Sequence, residues 1–148
     1  MKKNEKRYHM HVGNKVASVY IQEIYLDKTY TYTDATATIN TRYYEYIGIC
    51  VSNGRRTNND WWNGDKDGDK FYNKSTGNVT TFKAIIDALA INILEFYRIY
   101  GYYCCVFEPT DMHRRKTYLK AFKHICKKCH LDYRYVIKDD NEFMIWIS

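Results

Sequence analysis

The sequence predicts an α+β domain with a mixed, mostly antiparallel sheet and two main helices. Runs rich in β-branched and aromatic residues precede residue 52, and apolar residues recur with helical spacing over residues 79–100. Two short apolar runs close the chain. Strands, helix, strand, helix and hairpin thus follow one another, an order in which parallel pairing arises only around a helical crossover.

The first half of the chain is predicted to be built mainly from strands. Residues 1–13 are polar and are expected to be flexible. Residues 15–26 are apolar, and their β-branched content favours a strand over a short helix. Residues 29–39 alternate as a half-buried strand does, and residues 42–51 form the next strand. Residues 52–78 are predicted to be a long polar loop, which is unusual unless the loop has a function.

The second half is predicted to hold both main helices. The first begins near residues 76–78, presents one apolar face and ends at Gly101. A buried strand at residues 102–107 and a turn lead to a second helix that ends near His130. The last predicted element is a hairpin of two strands, residues 133–138 and 143–148.

Composition excludes several classes of protein. A chain of 148 residues with 45% hydrophobic and 17% aromatic residues can bury one domain core, so we expect a single domain over residues 1–148 rather than disorder. No apolar run reaches the length of a membrane span, and no leader is recognised, so we expect no membrane partner and an intracellular location. Five cysteines, an odd number, argue against a disulfide framework.

The positive charge is concentrated on the second helix. The chain carries a net charge of +6, whereas without residues 113–130 it carries 16 basic and 17 acidic side chains. The predicted binding residues there are Arg114, Arg115, Lys116, Lys120, Lys123 and Lys127. Two interpretations stay open: the helix binds nucleic acid or an acidic protein, or it is a solvated face whose lysine stems cover apolar surface. Trp61 and Trp62 in the polar loop are predicted to add stacking or an interface anchor.

No catalytic group can be nominated from the sequence, and we expect neither a cofactor nor a metal. Cys126, Cys129 and His130 form a C-x-x-C-H pattern, but without a leader a haem site is not expected, and only one C-x-x-C is available for zinc. Residues 63–68 resemble half a calcium loop, yet Lys74 replaces its last carboxylate. Thr76, Gly77 and Asn78 precede a helix and could hold an anion, although helix capping is the simpler role.

Two resemblances add to these predictions. Thr76-Gly77-Asn78 followed by Phe82, and Phe107-Glu108-Pro109-Thr110-Asp111 followed by Arg114 and Tyr118, resemble a family of small uncharacterised tailed-bacteriophage proteins, over about residues 74–148. The element order is also similar to that of acetyl-CoA-dependent N-acetyltransferases (GNAT-like), although the pyrophosphate loop of that fold is matched here by a single glycine, Gly77.

Together these observations predict a non-catalytic, phage-type accessory protein that binds nucleic acid or an acidic host protein through its basic helix. A phage protein of this kind would act in the host cytoplasm. The first alternative is an acetyl-CoA-dependent N-acetyltransferase, for which Thr76, Gly77 and Asn78 would contact the cofactor. The second is a virion structural or assembly component, in which a tyrosine-rich surface would support a homo-oligomer.

Overall fold

The computed structural model describes residues 4–64, 79–108, 112–137 and 142–148, without the side chains of residues 79–81 and 112–115. Six strands and three helices lie in these ranges. In chain order they are β1 (Glu5–Val12), β2 (Lys15–Thr33), β3 (Thr38–Ser52), α1 (Arg55–Trp62), α2 (Val79–Tyr100), β4 (Tyr103–Phe107), α3 (Met112–Cys129), β5 (Tyr133–Ile137) and β6 (Phe143–Ile147).

The strands form one sheet in the order β1-β2-β3-β4-β6-β5. β3 and β4 run parallel, with Glu45 opposite Cys105, whereas β6 pairs antiparallel with both β4 and β5. The parallel pair is possible because α2 returns the chain between its two strands. The predicted α+β fold with a mixed, mostly antiparallel sheet and two main helices is thus confirmed.

Two predictions for the first strands are wrong. Residues 1–13 were expected to be flexible, but Glu5–Val12 form β1, which Gly13 and Asn14 connect to β2 in a two-residue turn. Gly13 has a φ of 63°, a conformation that glycine adopts without strain. A strand over residues 29–39 was also expected, whereas β2 ends at Thr33 and β3 begins at Thr38.

The prediction of a loop over residues 52–78 is wrong for its first part, because Arg55–Trp62 form α1. Tertiary hydrogen bonds stabilise this short polar helix. Asn58 has an exposed fraction of 0%, and its Nδ2 donates to the Val16 carbonyl at 3.0 Å and to Ser18 Oγ at 2.8 Å. The Cys50 thiol donates to Asn58 Oδ1 at 3.2 Å. Residues 65–78 lie outside the described residues.

The chain divides into two compact units. Unit 1 comprises Met1–Ile21 and Gly48–Leu89, and unit 2 comprises Gln22–Ile47 and Ala90–Ser148. Within unit 1, Tyr20 is fully buried and stacks on Trp62 with ring centroids 5.0 Å apart.

Within unit 2, helices cover one face of the sheet. Phe96 of α2 packs edge-on against Tyr103, and Phe122 of α3 packs against Phe107. The other face holds a separate buried cluster, and half-buried aromatic side chains pack around it. The buried members of this cluster are Ile39, Cys104, Val106, Val136 and Met144.

The turn between β2 and β3 contacts the edge strand β5. Asp34 Oδ2 accepts a hydrogen bond from the Ile137 backbone N–H at 2.6 Å, and the Thr36 hydroxyl donates to the Tyr135 carbonyl at 2.8 Å. Asp34 Oδ1 also accepts from Thr36 and from the Ala37 N–H. These bonds occupy groups that an open sheet edge would otherwise leave unpaired.

Candidate nucleic-acid interface

The helix α3 is amphipathic, and its apolar side fixes its orientation on the sheet. Phe122 has an exposed fraction of 0%, and Ile125 is also buried. Tyr118 stacks on Phe107 with ring centroids 5.1 Å apart. The helix ends where His130 adopts a φ of 57°, and the Leu131 N–H then donates to the Cys126 carbonyl at 2.9 Å. One side of α3 therefore packs against the sheet as part of the core.

The opposite side of α3 carries a row of exposed lysines. We call this row the lysine ridge, and its members are Lys116, Lys120, Lys123 and Lys127. Lys128 and His124 are exposed as well. Among the described residues, none of the four ridge lysines forms a salt bridge within 4 Å of a carboxylate. The ridge is therefore a solvent-facing line of cationic groups.

The other predicted binding residues are placed differently. Trp61 and Trp62 form the last turn of α1, where both are half-buried and their rings lie 6.1 Å apart. Trp62 Nε1 donates to Glu5 Oε1 at 3.0 Å, and Arg7 lies over the ring of Tyr20. Packing within unit 1 thus uses both indoles. The structure does not place them on a loop.

Several remaining candidates lie where no side chain is described. The side chains of Arg114 and Arg115 lie outside the described residues, although their backbone belongs to α3. Thr76, Gly77 and Asn78 also lie outside the described residues, as does the calcium-like segment after Gly64. These predictions therefore stay predictions.

The cysteines show no metal-ligand arrangement in the described part of the chain. Three or more His, Cys, Asp or Glu side chains do not come together anywhere among those residues. All five thiols are free. Burial raises the pKa of Cys126 to about 11 and that of Cys104 to about 12, which keeps both thiols protonated at neutral pH.

A buried polar group near the parallel strands was missed by sequence reasoning. Glu45 Oε1 accepts a hydrogen bond from Asn92 Nδ2 at 2.5 Å, and both side chains have exposed fractions of 0%. Tyr103 is equally buried, and its pKa is raised well above the usual value by burial and by the nearby Glu45. Because all three side chains are fully buried, we assign them a structural role.

A second missed feature lies on the sheet face that carries the separate buried cluster. We call it the stacked column, and it consists of Arg134, Trp146 and Tyr102. The Tyr102 and Trp146 rings are 4.6 Å apart and nearly parallel, at 6°. The guanidinium carbon of Arg134 lies 5.7 Å from the centroid of the Trp146 ring. Arg134 and Trp146 are cross-strand partners, a proximity that no local sequence signal reveals.

No protein-family model, curated protein or solved structure matches this chain. In the ranges that the structure describes, no helix combines the length and the apolar character needed to cross a membrane.

Proposed function

We propose that this protein acts by binding nucleic acid through the lysine ridge of α3. The observation that supports this proposal is a line of four exposed lysines on a helix of 18 residues that contains no acidic residue. Phosphates are the anions that nucleic acid presents at regular intervals, and each lysine that neutralises one releases a condensed counterion.

The length of the ridge suits a phosphate backbone. Lys116 and Lys127 are separated by eleven helical steps, which correspond to about 16 Å along the helix axis. One strand of a duplex advances about 3.4 Å per nucleotide, so the ridge spans roughly five nucleotides. Four lysines along this distance can follow one strand without bending it.

The ridge also has an energetic cost that a bound polyanion would remove. Like charges one helical turn apart destabilise a helix by about 0.2–0.5 kcal/mol per pair. Surface helices usually offset this repulsion with glutamates at intervening positions, and α3 has none. Bound phosphates supply the missing negative charge, whereas a purely solvated face gives no reason to omit the glutamates.

The test is a titration of the protein into labelled duplex and single-stranded DNA and RNA, at low and physiological salt. The ridge variant reverses all four lysines to Glu. For duplex DNA, four lost phosphate contacts should reduce the salt slope of the binding constant by about 3.6. The matched control reverses four exposed cations elsewhere: Lys28, Arg56, Lys83 and Arg98.

Tight, salt-dependent binding that the ridge variant loses and the control retains supports the proposal. Equal binding by the ridge variant and the wild type contradicts it. If the protein binds no nucleic acid even at low salt but binds acidic polypeptides through the same lysines, then the ridge docks an acidic protein instead.

A second candidate function is acetyl-CoA-dependent acyl transfer. The observation that favours it is the parallel pair β3–β4, between whose strands α2 lies in the chain, because a helical crossover is part of the element order on which the N-acetyltransferase resemblance rests. A ligand that binds only the folded protein raises the melting temperature by mass action. Millimolar acetyl-CoA should therefore raise it, and an unchanged melting temperature would count against this candidate.

A further inference from the structure

The stacked column is built across three adjacent strands. β6 lies between β4 and β5, and Trp146 faces Cys104 on one side and Arg134 on the other. Tyr102 precedes β4, so Tyr102 and Arg134 approach the Trp146 ring from opposite sides. The column therefore runs from Tyr102 through the indole and ends at a guanidinium group.

Arg134 differs from the other two members of the column because it is exposed, whereas Trp146 and Tyr102 are half-buried. In the described ranges it has no carboxylate within 4 Å. Its guanidinium is planar and delocalised, and stacking on the indole restricts the motion of a normally flexible side chain. The guanidinium is thus held over the Trp146 ring at the end of the column, on a side chain that is exposed to solvent.

Arg134 follows the lysine ridge in the chain, although the stacked column lies on the face of the sheet opposite α3. From Lys116 to Ile137 the sequence contains six lysine and arginine residues and a single acid, Asp132. α3 contacts β5, the edge strand that carries Arg134. A flexible strand that continues past the C-terminal end of α3 and around the β5 edge therefore reaches Arg134.

We propose that the stacked column binds an unpaired nucleobase of the strand whose phosphates lie on the lysine ridge, so that the ligand is single-stranded nucleic acid. This inference rests on the proposed function. The base extends the column by stacking on the outer face of the Arg134 guanidinium, while Trp146 and Tyr102 hold that group in position. The faces of bases inside a duplex are covered by their neighbours, so a duplex can offer the column only its terminal bases.

The test compares three ligands of about 12 nucleotides, which is within the usual site size for single strands. They are a single-stranded DNA, the matching duplex and an abasic single strand that keeps the sugar–phosphate chain. Wild-type protein should prefer the intact single strand to both of the others. Arg134→Ala should lower affinity for the intact single strand about fivefold or more and leave the abasic strand within about twofold.

Three variants make the result specific. Arg134→Lys keeps the charge but removes the planar group, so it should lose most of the preference for the intact strand. Trp146→Phe keeps a smaller ring under Arg134, so this variant should lose part of the preference for the intact single strand. Arg98→Ala removes the same charge from α2, where Arg98 is exposed, and should reduce the affinity for all three ligands equally and only slightly.

The failures of the two proposals are distinguishable. If wild-type protein binds the intact, abasic and duplex ligands equally, and the Arg134 variants bind as Arg98→Ala does, then the column has no role and the lysine ridge alone binds nucleic acid. If the four-lysine variant binds normally while Arg134→Ala does not, the ridge proposal is wrong and the column stands. If no ligand binds at low salt, both proposals are refuted.

Discussion

Replacing Gly48 in β3 with alanine tests how tightly unit 1 is packed. An ideal Cβ at this position would lie 2.8 Å from Cε3 of Trp62 and 3.2 Å from Cη2 of Trp61, and the first distance is one that real Cβ atoms essentially never show. The Trp62 indole cannot move away freely, because it stacks on Tyr20 and donates a hydrogen bond to Glu5. A methyl group at position 48 must therefore displace the indole or the strand.

The expected cost follows from two opposing terms. Overpacking a filled site destabilises a protein by about 1–3 kcal/mol. Replacing glycine with alanine also restricts the unfolded chain, which returns about 0.4–1 kcal/mol. We therefore expect Gly48→Ala to lower the free energy of unfolding by about 1–2 kcal/mol, measured by urea denaturation with far-ultraviolet circular dichroism. For a chain of this length, the melting temperature should fall by about 2–8 °C.

Two further variants separate the clash from other effects. Gly54→Ala is the matched control, because an added Cβ there meets nothing within 4 Å and its φ of −159° is open to any residue. Gly54 is also the N-cap of α1, where alanine is less favourable than glycine, so this variant should lower the free energy of unfolding by at most about 1 kcal/mol. In the Gly48→Ala/Trp62→Phe double variant, the smaller ring should remove most of the clash, so its stability should match that of Trp62→Phe alone. If Gly48→Ala behaves like Gly54→Ala, the packing argument is refuted.

Two predictions concern pH. Hydrogen bonds from the Thr36 hydroxyl and the Ile137 N–H lower the pKa of Asp34 from 3.8 to about 2. The ionised carboxylate therefore stabilises the fold above pH 3.8, and this stabilisation is lost as the pH falls toward 2. Asp34→Asn should therefore melt below the wild type at neutral pH and converge with it near pH 2, and a constant difference across this range would contradict the argument. Burial, with Arg55 and Arg7 nearby, lowers the pKa of His9, so the folded state binds fewer protons than the unfolded state and stability should fall as the pH drops through and below 6.5. Urea unfolding measured at about pH 7.5 and about pH 5 should show that the free energy of unfolding falls less in His9→Gln than in the wild type. An equal fall in both proteins would exclude His9 as the cause.

The helices of unit 2 were predictable because their apolar residues repeat with the period of a helix. Phe122 and Ile125 are buried while the four lysines opposite them are exposed, as their spacing predicts. Tyr118 and Cys129, which the spacing also puts on the core side, are half-buried. The exposure of the lysine ridge followed from the same pattern, since a residue opposite a buried face of a surface helix is turned to solvent. Local periodicity was sufficient for these statements.

The errors in unit 1 arose where polar side chains make contacts that are distant in sequence. α1 contains no buried apolar stripe, and it is held in part by the bonds of Asn58 to residues about 40 positions away. β1 is similarly tied to β2 by the hydrogen bond between His9 and Ser18. The Gly13-Asn14 pair was a local signal for this hairpin, because Gly-Asn is a common two-residue turn between strands.

The stacked column depends on the register of β5 against β6, and the sequence of β6 alone does not specify that register. β6 is covered on both faces, so the sequence FMIWI is apolar at every position and shows no alternation. A slip of one residue would move Arg134 to the other face of the sheet, where Ile145 and Ile147 lie against the helices and a guanidinium would be buried without a carboxylate. The cost of that burial opposes the slip and favours the register in which Arg134 meets Trp146. If Arg134→Lys abolishes the preference for single strands, the result would support both the proposed ligand and the register in which Arg134 lies opposite Trp146.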